Sequence, residues 1–279
     1  MKIGFITNTD KDTDFSYTRE MIDCVLKNGC EPMVCQLGSK NIPGASFTTK
    51  EEMYNTVSFV VVLGGDGTIL RVARTAAKYN TPILGINLGT LGYLTDVEKN
   101  QGKTAIEMVI NNSYTIEERM MLEAYVEGRE EKYIGLNEVT VSNAGFARMM
   151  CFSLEINDDF INSYRADGII VSTPTGSTAY NLSAGGPIIK PDNKLMAITT
   201  VCAHNLFSRP FVVSENDIVK IKIESDRKQT IFSIDGQNEI NIEKDCKIII
   251  KKSEYVTKII RTTGMGFYDI LRIKMLNNS

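Results

Sequence analysis

The sequence predicts an α/β region followed by a mostly β region, and three observations carry that prediction. Unbroken β-branched runs alternate with helical patterns over the first hundred residues, as in a parallel sheet covered by helices. Beyond Tyr114 the apolar residues instead recur at every second position, the mark of strands with one wet face. The length of 279 residues, divided by roughly 150 per domain, gives about two domains.

The first region is read as residues 1–114. Residues 2–7 form a strand. Thr13 and Asp14 are candidate caps for a helix carrying Met21, Ile22, Val25 and Leu26 on one face, and Gly29 stands where a helix ends. Residues 32–37 form a second strand. Residues 58–63, Ser-Phe-Val-Val-Val-Leu, have the composition of a strand buried on both faces. A helix over 68–78, a buried strand over 81–87 and a helix near 104–111 complete the region.

The second region is read as residues 115–261. Residues 122–127, 219–224 and 240–243 alternate apolar and polar side chains, and Asn-Asp and Asp-Gly turn pairs recur among them. The tail, 262–279, returns to a helical pattern, with Ile270, Leu271, Lys274 and Met275 at helical spacing, and is expected to pack back on the first domain.

Composition excludes several functions. A single histidine, His204, removes His-rich zinc sites, and a Ser-His-Asp triad could use only that residue. His204 itself reads as a hydrogen-bonded structural residue. The net charge of −3 argues against a general nucleic-acid binder. None of the six cysteines forms a C-x-x-C pair, which predicts reduced and mostly buried thiols. No window approaches the roughly 20 apolar residues of a membrane span, so a cytoplasmic protein is expected. Lys220, Lys222, Lys251 and Lys252 read as solvated faces.

The most informative local feature is Gly64-Gly65-Asp66-Gly67-Thr68, which follows the buried strand and opens a helix. A helix N-terminus offers free N–H groups to an anion, and glycines let the backbone approach it. The turn is neither a P-loop nor a G-x-G-x-x-G fingerprint. A carboxylate in such a turn repels a phosphate unless it has a task. Asp66 could accept a proton from an attacking hydroxyl, hold Mg²⁺ beside the phosphates, or simply cap its own helix.

A second motif runs from Asp167 to Pro191. A buried strand over 169–172 leads into a hydroxyl-rich turn with Thr173, Thr175, Ser177 and Thr178, then a short helix over 178–184. These hydroxyls can bond a base edge, a ribose or a phosphate, and Tyr180 can stack on a flat ring. The bland alternative is a capped helix with a core tyrosine.

Taken with Asn137-Glu138, the two motifs resemble the bacterial ATP-NAD kinase family. The resemblance extends through Asn87-Leu88-Gly89-Thr90-Leu91-Gly92-Tyr93-Leu94, Cys202-Ala203-His204-Asn205-Leu206 with Arg209-Pro210, Ser233-Ile234-Asp235-Gly236, and Gly266-Phe267-Tyr268-Asp269. The Gly-Gly-Asp-Gly-Thr turn alone is shared with lipid kinases and phosphofructokinases, whereas Thr-Pro-Thr-Gly-Ser-Thr-Ala-Tyr-Asn is far more specific. The resemblance implies a Rossmann-like N-terminal α/β domain, a C-terminal β-sandwich-like domain with the NAD site between them, and a homodimer or homotetramer. It implies transfer of the terminal phosphate of ATP, accompanied by Mg²⁺, to the 2′-hydroxyl of the adenosine ribose of NAD, giving NADP. Inorganic polyphosphate is a second donor to be considered.

By the same resemblance, Asp66 activates the 2′-hydroxyl, and Gly64, Gly65, Gly67 and Thr68 hold donor phosphates, with Asp66 and Gly67 also on the NAD side. Asn137 and Glu138 contact the adenosine part. Thr175, Thr178 and Tyr180 line the adenine side. Asp167 and Ala179 face the nicotinamide end, with Arg165 nearby. Without the resemblance, Asn137-Glu138 would read as an exposed polar strand start and Asp235-Gly236 as a plain hairpin turn. The competing functions are a lipid or sugar kinase sharing the glycine-rich turn and a non-catalytic dinucleotide sensor.

Overall fold

A computed structural model describes residues 1–35, 42–143, 149–204, 208–224 and 230–276. The chain separates into two compact units, Met1–Glu118 with Thr257–Ser279, and Arg119–Val256. The end of the predicted strand at Leu37, and Asn205 and Leu206 of the resemblance, lie outside the described residues.

The first unit runs β1 (Lys2–Thr7), α1 (Ser16–Lys27), β2 (Glu31–Cys35), β3 (Ser46–Thr48), α2 (Lys50–Thr56), β4 (Phe59–Gly64), α3 (Asp66–Lys78), β5 (Ile83–Asn87), β6 (Val97–Glu98) and α4 (Gly102–Ile110). Its strands lie in the order β3-β2-β1-β4-β5 and pair in parallel. Every residue of β4 and β5 is buried, as their apolar runs require. Ile3, Phe5, Val61, Leu63, Leu84 and Ile86 pack with Met21, Ile22 and Val25 of α1 and Ile106 of α4. This strand order changes direction between β1 and β4. The carboxyl ends of those two strands therefore flank a topological switch point, where open α/β sheets bind ligands.

The second unit runs β7 (Thr115–Val126), β8 (Lys132–Gly135), β9 (Glu138–Asn143), β10 (Met150–Ile156), β11 (Asp159–Ala166), β12 (Gly168–Ser172), α5 (Tyr180–Ser183), β13 (Leu195–Val201), β14 (Phe211–Ser214), β15 (Val219–Ile223), β16 (Thr230–Ile234), β17 (Asn238–Ile242) and β18 (Lys247–Arg261). One antiparallel sheet has the order β14-β13-β12-β9-β16-β17. A second places β11-β10-β15-β18 in line, with β7 joining β18 to β8. Leu122, Val139, Phe152, Ile169, Ile221, Phe232 and Ile248 share one core, so the two sheets form a sandwich. The end of β18 returns to the first unit, where Ile259 pairs in parallel with Ile83 of β5. There α6 (Phe267–Leu276) buries Ile270, and the Phe267 ring lies 6.1 Å from that of Tyr93.

Several local expectations are corrected. Of the two candidate caps of α1, Asp14 accepts the Ser16 N–H at 3.1 Å, but it is not the main cap. Asp12 is, because its buried carboxylate accepts the N–H groups of Tyr17 and Thr18 at 3.2 and 2.9 Å. Gly29 does end that helix, with φ +70°. The alternation in β7 does not produce a wet face, since Met120–Ala124 are buried throughout. Glu123 is buried there because Lys132 and Lys251 each approach its Oε1 at 3.3 Å. The expected helix over 178–184 is a 3₁₀ turn, Thr175–Thr178, followed by the single turn of α5. Among the thiols only Cys24 and Cys30 are fully buried, and Cys202 is exposed. The lysines read as merely solvated are paired, Lys220 with Asp158, Lys222 with Asp245 and Lys252 with Glu215.

Candidate active site

In the first unit, the glycine-rich turn closes the buried strand β4 and opens α3, with Gly65 in extended geometry at the N-cap. In the first turn of α3 the Thr68 N–H donates to the Gly65 carbonyl at 2.8 Å, which leaves the Asp66 and Gly67 amides without an intrahelical partner. Asn8, just past the end of β1, donates its Nδ2 to Thr68 Oγ1 at 3.2 Å and ties the two strand ends together.

Asp66 does not cap its own helix. Its Oδ1 accepts the N–H groups of Leu94 and Thr95 and the Thr95 hydroxyl, each at 3.1 Å. Among the described residues, its Oδ2 accepts only the Tyr93 N–H, at 2.8 Å. One lone pair of Oδ2 is therefore left for a further donor. Gly92 permits this approach, since a Cβ there would collide with the Asp66 carboxylate and Thr95 Oγ1. The 93–95 segment is in turn held by Arg261, whose guanidinium donates to the Tyr93 and Leu94 carbonyls while pairing with Asp96 and Glu117 at 2.8 and 2.7 Å. Sequence reasoning missed Arg261. No local motif marks it, because its partners lie far away in the chain.

In the second unit, Asn137 and Glu138 stand at the start of β9 against the turn that leaves β12. Glu138 pairs with Ser172 in register, and the Thr173 N–H donates to the Asn137 carbonyl at 2.8 Å. Gly176 meets the Asn137 backbone so closely that any Cβ would overlap it. The exposed-strand-start reading of Glu138 is overturned, since it is only 7% exposed and its Oε2 has no hydrogen-bond partner among the described residues. Burial, and then the nearby Asp235 charge, push its carboxyl up to about 8.

Asp235 is in a hairpin turn between β16 and β17, as expected, but the turn is not plain. Its backbone is left-handed, φ +51°, and its carboxylate accepts the N–H groups of Leu136, Asn137 and Glu138 at 2.9, 2.8 and 3.2 Å. It thereby fixes the two residues that precede and open β9. Sequence reasoning also missed Arg119, buried at the base of the hydroxyl turn with Nη1 3.3 Å from Thr175 Oγ1.

The remaining candidates divide by exposure. Thr175 is buried, Thr178 and Ala179 are half-buried, and Tyr180 is 44% exposed, which excludes the core-tyrosine reading. Arg165 and Asp167 are exposed near the end of β11 and the start of β12. The Arg165 carbonyl accepts the His204 N–H at 2.9 Å and the Asp167 N–H donates to Val201, so this edge is joined to β13 and the following loop.

A parallel sheet with a phosphate-type turn at its switch point, and an oriented carboxylate in that turn, defines a phosphotransferase. Comparison with known proteins makes the class specific. Residues 3–114 match the ATP-NAD kinase N-terminal domain and residues 136–262 the ATP-NAD kinase C-terminal domain. An NAD kinase of Caldanaerobacter subterraneus is 39% identical over 278 residues, covering 98% of both chains. One from Acetivibrio thermocellus is 38% identical, covering 99% of this chain and 97% of the relative. The chain belongs to the ATP-NAD kinase family. Its fold is shared with the crystal structure of yeast NADH kinase complexed with NADH, at TM-score 0.86 and 22% identity, covering 100% of this chain and 87% of that one. It is shared also with an NAD kinase from Archaeoglobus fulgidus in complex with ATP, at TM-score 0.76 and 24% identity, covering 94% of each chain.

Proposed function

We propose that this chain transfers the terminal phosphate of ATP to the 2′-hydroxyl of the adenosine ribose of NAD, giving NADP. The observation that carries the reading is the setting of Asp66. It is a carboxylate at the mouth of a phosphate-type turn, steered away from its own helix and fixed by 93–95, with an acceptor position left on Oδ2. Such a group accepts the proton of a weak hydroxyl nucleophile, an effect typically worth about 10²–10⁴-fold. The first-turn amides of α3 and the Gly64, Gly65, Gly67 and Thr68 backbone supply positioning and charge neutralisation to the donor phosphates.

For the acceptor, Asp66 and Gly67 of the first unit, and Asn137 and Glu138 of the second, are assigned to NAD. The unpartnered Oε2 of Glu138, in a dry setting, suits a ribose hydroxyl. Thr175, Thr178 and Tyr180 serve the adenine, Tyr180 offering an exposed ring face, while Arg165, Asp167 and Ala179 serve the nicotinamide end.

Mg²⁺ accompanies the ATP in this reading. Among the described residues no three His, Cys, Asp or Glu side chains converge on one point, and Mg²⁺ commonly takes substrate phosphates and water with one or two carboxylates. In this reading the ion arrives with the nucleotide, and Asp66 is kept for the hydroxyl proton. When bound, the ion neutralises the charge on the transferring phosphate. Among the described residues no helix is long and apolar enough to cross a membrane. A homodimer or homotetramer in the cytoplasm completes the proposal.

Incubation of the pure chain with NAD, ATP and Mg²⁺, and in parallel with polyphosphate, tests it by assay of NADP. Formation of NADP supports the reading. Phosphate appearing on a lipid or sugar instead, or NAD binding without turnover, refutes it.

A further inference from the structure

The segment Asn8-Thr9-Asp10-Lys11-Asp12 forms the loop after β1. That loop leaves the carboxyl end of β1, the strand beside β4 at the switch point of the sheet. Lys11 reaches from it over both glycine-bearing loops of the first unit. A Cβ placed on Gly65 would sit 3.5 Å from Lys11 Nζ, and one on Gly89 would sit 2.8 Å from it. The ammonium therefore lies against the N-cap of α3 and against the loop that follows β5.

This is an unfavourable place for an uncompensated cation, because the N-terminus of α3 is itself partially positive. Yet Lys11 makes no side-chain hydrogen bond or ion pair with any described residue. Asp10, next to it in sequence, is exposed and makes no ion pair with Lys11, and Asp12 and Asp66 accept other donors. Asp12 is taken up by the N–H groups of Tyr17 and Thr18 and the Thr18 hydroxyl. Asp66 is oriented by the 93–95 amides and makes no ion pair with Lys11. A positive helix end and an exposed ammonium without a side-chain partner among the described residues thus lie side by side, an arrangement suited to an anion.

We propose that Lys11 is the side-chain cation that holds the phosphates of the nucleotide donor against the 64–68 turn. The proposal rests on the donor-binding role given to that turn above. A methyl group on Gly89 would move the ammonium from its present place. Lys11 gives the donor site a point charge that backbone amides alone do not provide, and ammonium is well suited to a polyphosphate chain.

The test is calorimetric binding of Mg-ATP and of inorganic tripolyphosphate to the full chain, together with steady-state kinetics at saturating NAD. Lys11→Met is expected to weaken both ligands, and to raise KM for ATP or lower kcat, by roughly 10- to 100-fold, the range of one charge-assisted hydrogen bond. NAD affinity and thermal unfolding should stay at wild-type values. Lys11→Arg should recover part of the loss. Gly89→Ala, which leaves the charge in place but pushes the ammonium aside, should weaken ATP in the same direction. Wild-type ATP and tripolyphosphate binding in Lys11→Met overturns the proposal, as does an equal loss of NAD affinity. A wild-type chain that makes no NADP refutes the functional reading alone, and tripolyphosphate binding by Lys11→Met still decides the role of the lysine.

Discussion

Replacing Asp235 by Asn isolates the contribution of one carboxylate to the adenosine-binding pair. Asparagine tolerates the left-handed backbone at this position, φ +51°, so the turn itself should survive. Its amide oxygen can still accept the Asn137 and Glu138 N–H groups that now share Oδ1. Its NH₂ group must then face the Leu136 N–H that now donates to Oδ2 at 2.9 Å. Leaving that buried donor unsatisfied costs about 1–3 kcal/mol, and converting two charge-assisted bonds to neutral ones costs about 1 kcal/mol each. The expected destabilisation is thus roughly 3–5 kcal/mol. It is read from the shift of the urea midpoint by far-ultraviolet circular dichroism, the chain having no Trp to report by fluorescence. Because Leu136–Glu138 are the backbone being released, KM for NAD should rise at least roughly tenfold. A midpoint within error of wild type together with an unchanged KM for NAD would refute the argument that Asp235 builds the site.

Glu138→Gln tests the buried carboxyl. Its folded value is raised to about 8, so the folded chain holds a proton that the unfolded chain releases above its ordinary value near 4.5. Glu138 therefore costs no stability below pH 4.5 and progressively more as pH rises through 8. The stability advantage of Glu138→Gln over wild type should grow across that window to roughly 3–5 kcal/mol, and an advantage that is flat with pH contradicts it. Arg261→Met leaves Asp96 and Glu117 without their shared cation and frees the 93–95 segment. It should cost about 3–5 kcal/mol in unfolding and lower kcat more than it alters KM for NAD. Unchanged kcat in a folded Arg261→Met would separate that arginine from the orientation of Asp66.

Much of the architecture was legible because burial writes itself into composition. The runs that became β4, β5 and β12 are apolar on both faces, and each is buried along its whole length. The glycine-rich turn was legible for the same local reason, since strand, glycines and helix are contiguous. What escaped was fixed by distant partners. Glu123 looked like a solvent-facing member of an alternating strand, and only the arrival of Lys132 and Lys251 from other strands makes its burial tolerable. Asp235 has the sequence of an ordinary turn, and its three N–H donors lie nearly a hundred residues earlier. Asp12 caps α1 alongside the nearer candidate Asp14, because the left-handed Phe15 bends the chain so that a residue further back also faces its first turn. Lys11 carried no signal at all, because a single lysine in a loop is uninformative until the sheet order sets it beside the turn.

The account depends most on Asp66, and Asp66→Asn examined by two readouts tests it most directly. The purified variant and wild type are compared for NADP formation from NAD, ATP and Mg²⁺, and for NAD binding by calorimetry. The asparagine keeps an acceptor for the Leu94 and Thr95 amides, turns its NH₂ group toward the Tyr93 N–H, and cannot take a proton from a hydroxyl. NAD affinity should therefore stay within a few-fold of wild type while kcat falls by about 10²–10⁴-fold. Turnover at a wild-type rate in Asp66→Asn would contradict the assignment of that carboxylate as the acceptor of the 2′-hydroxyl proton.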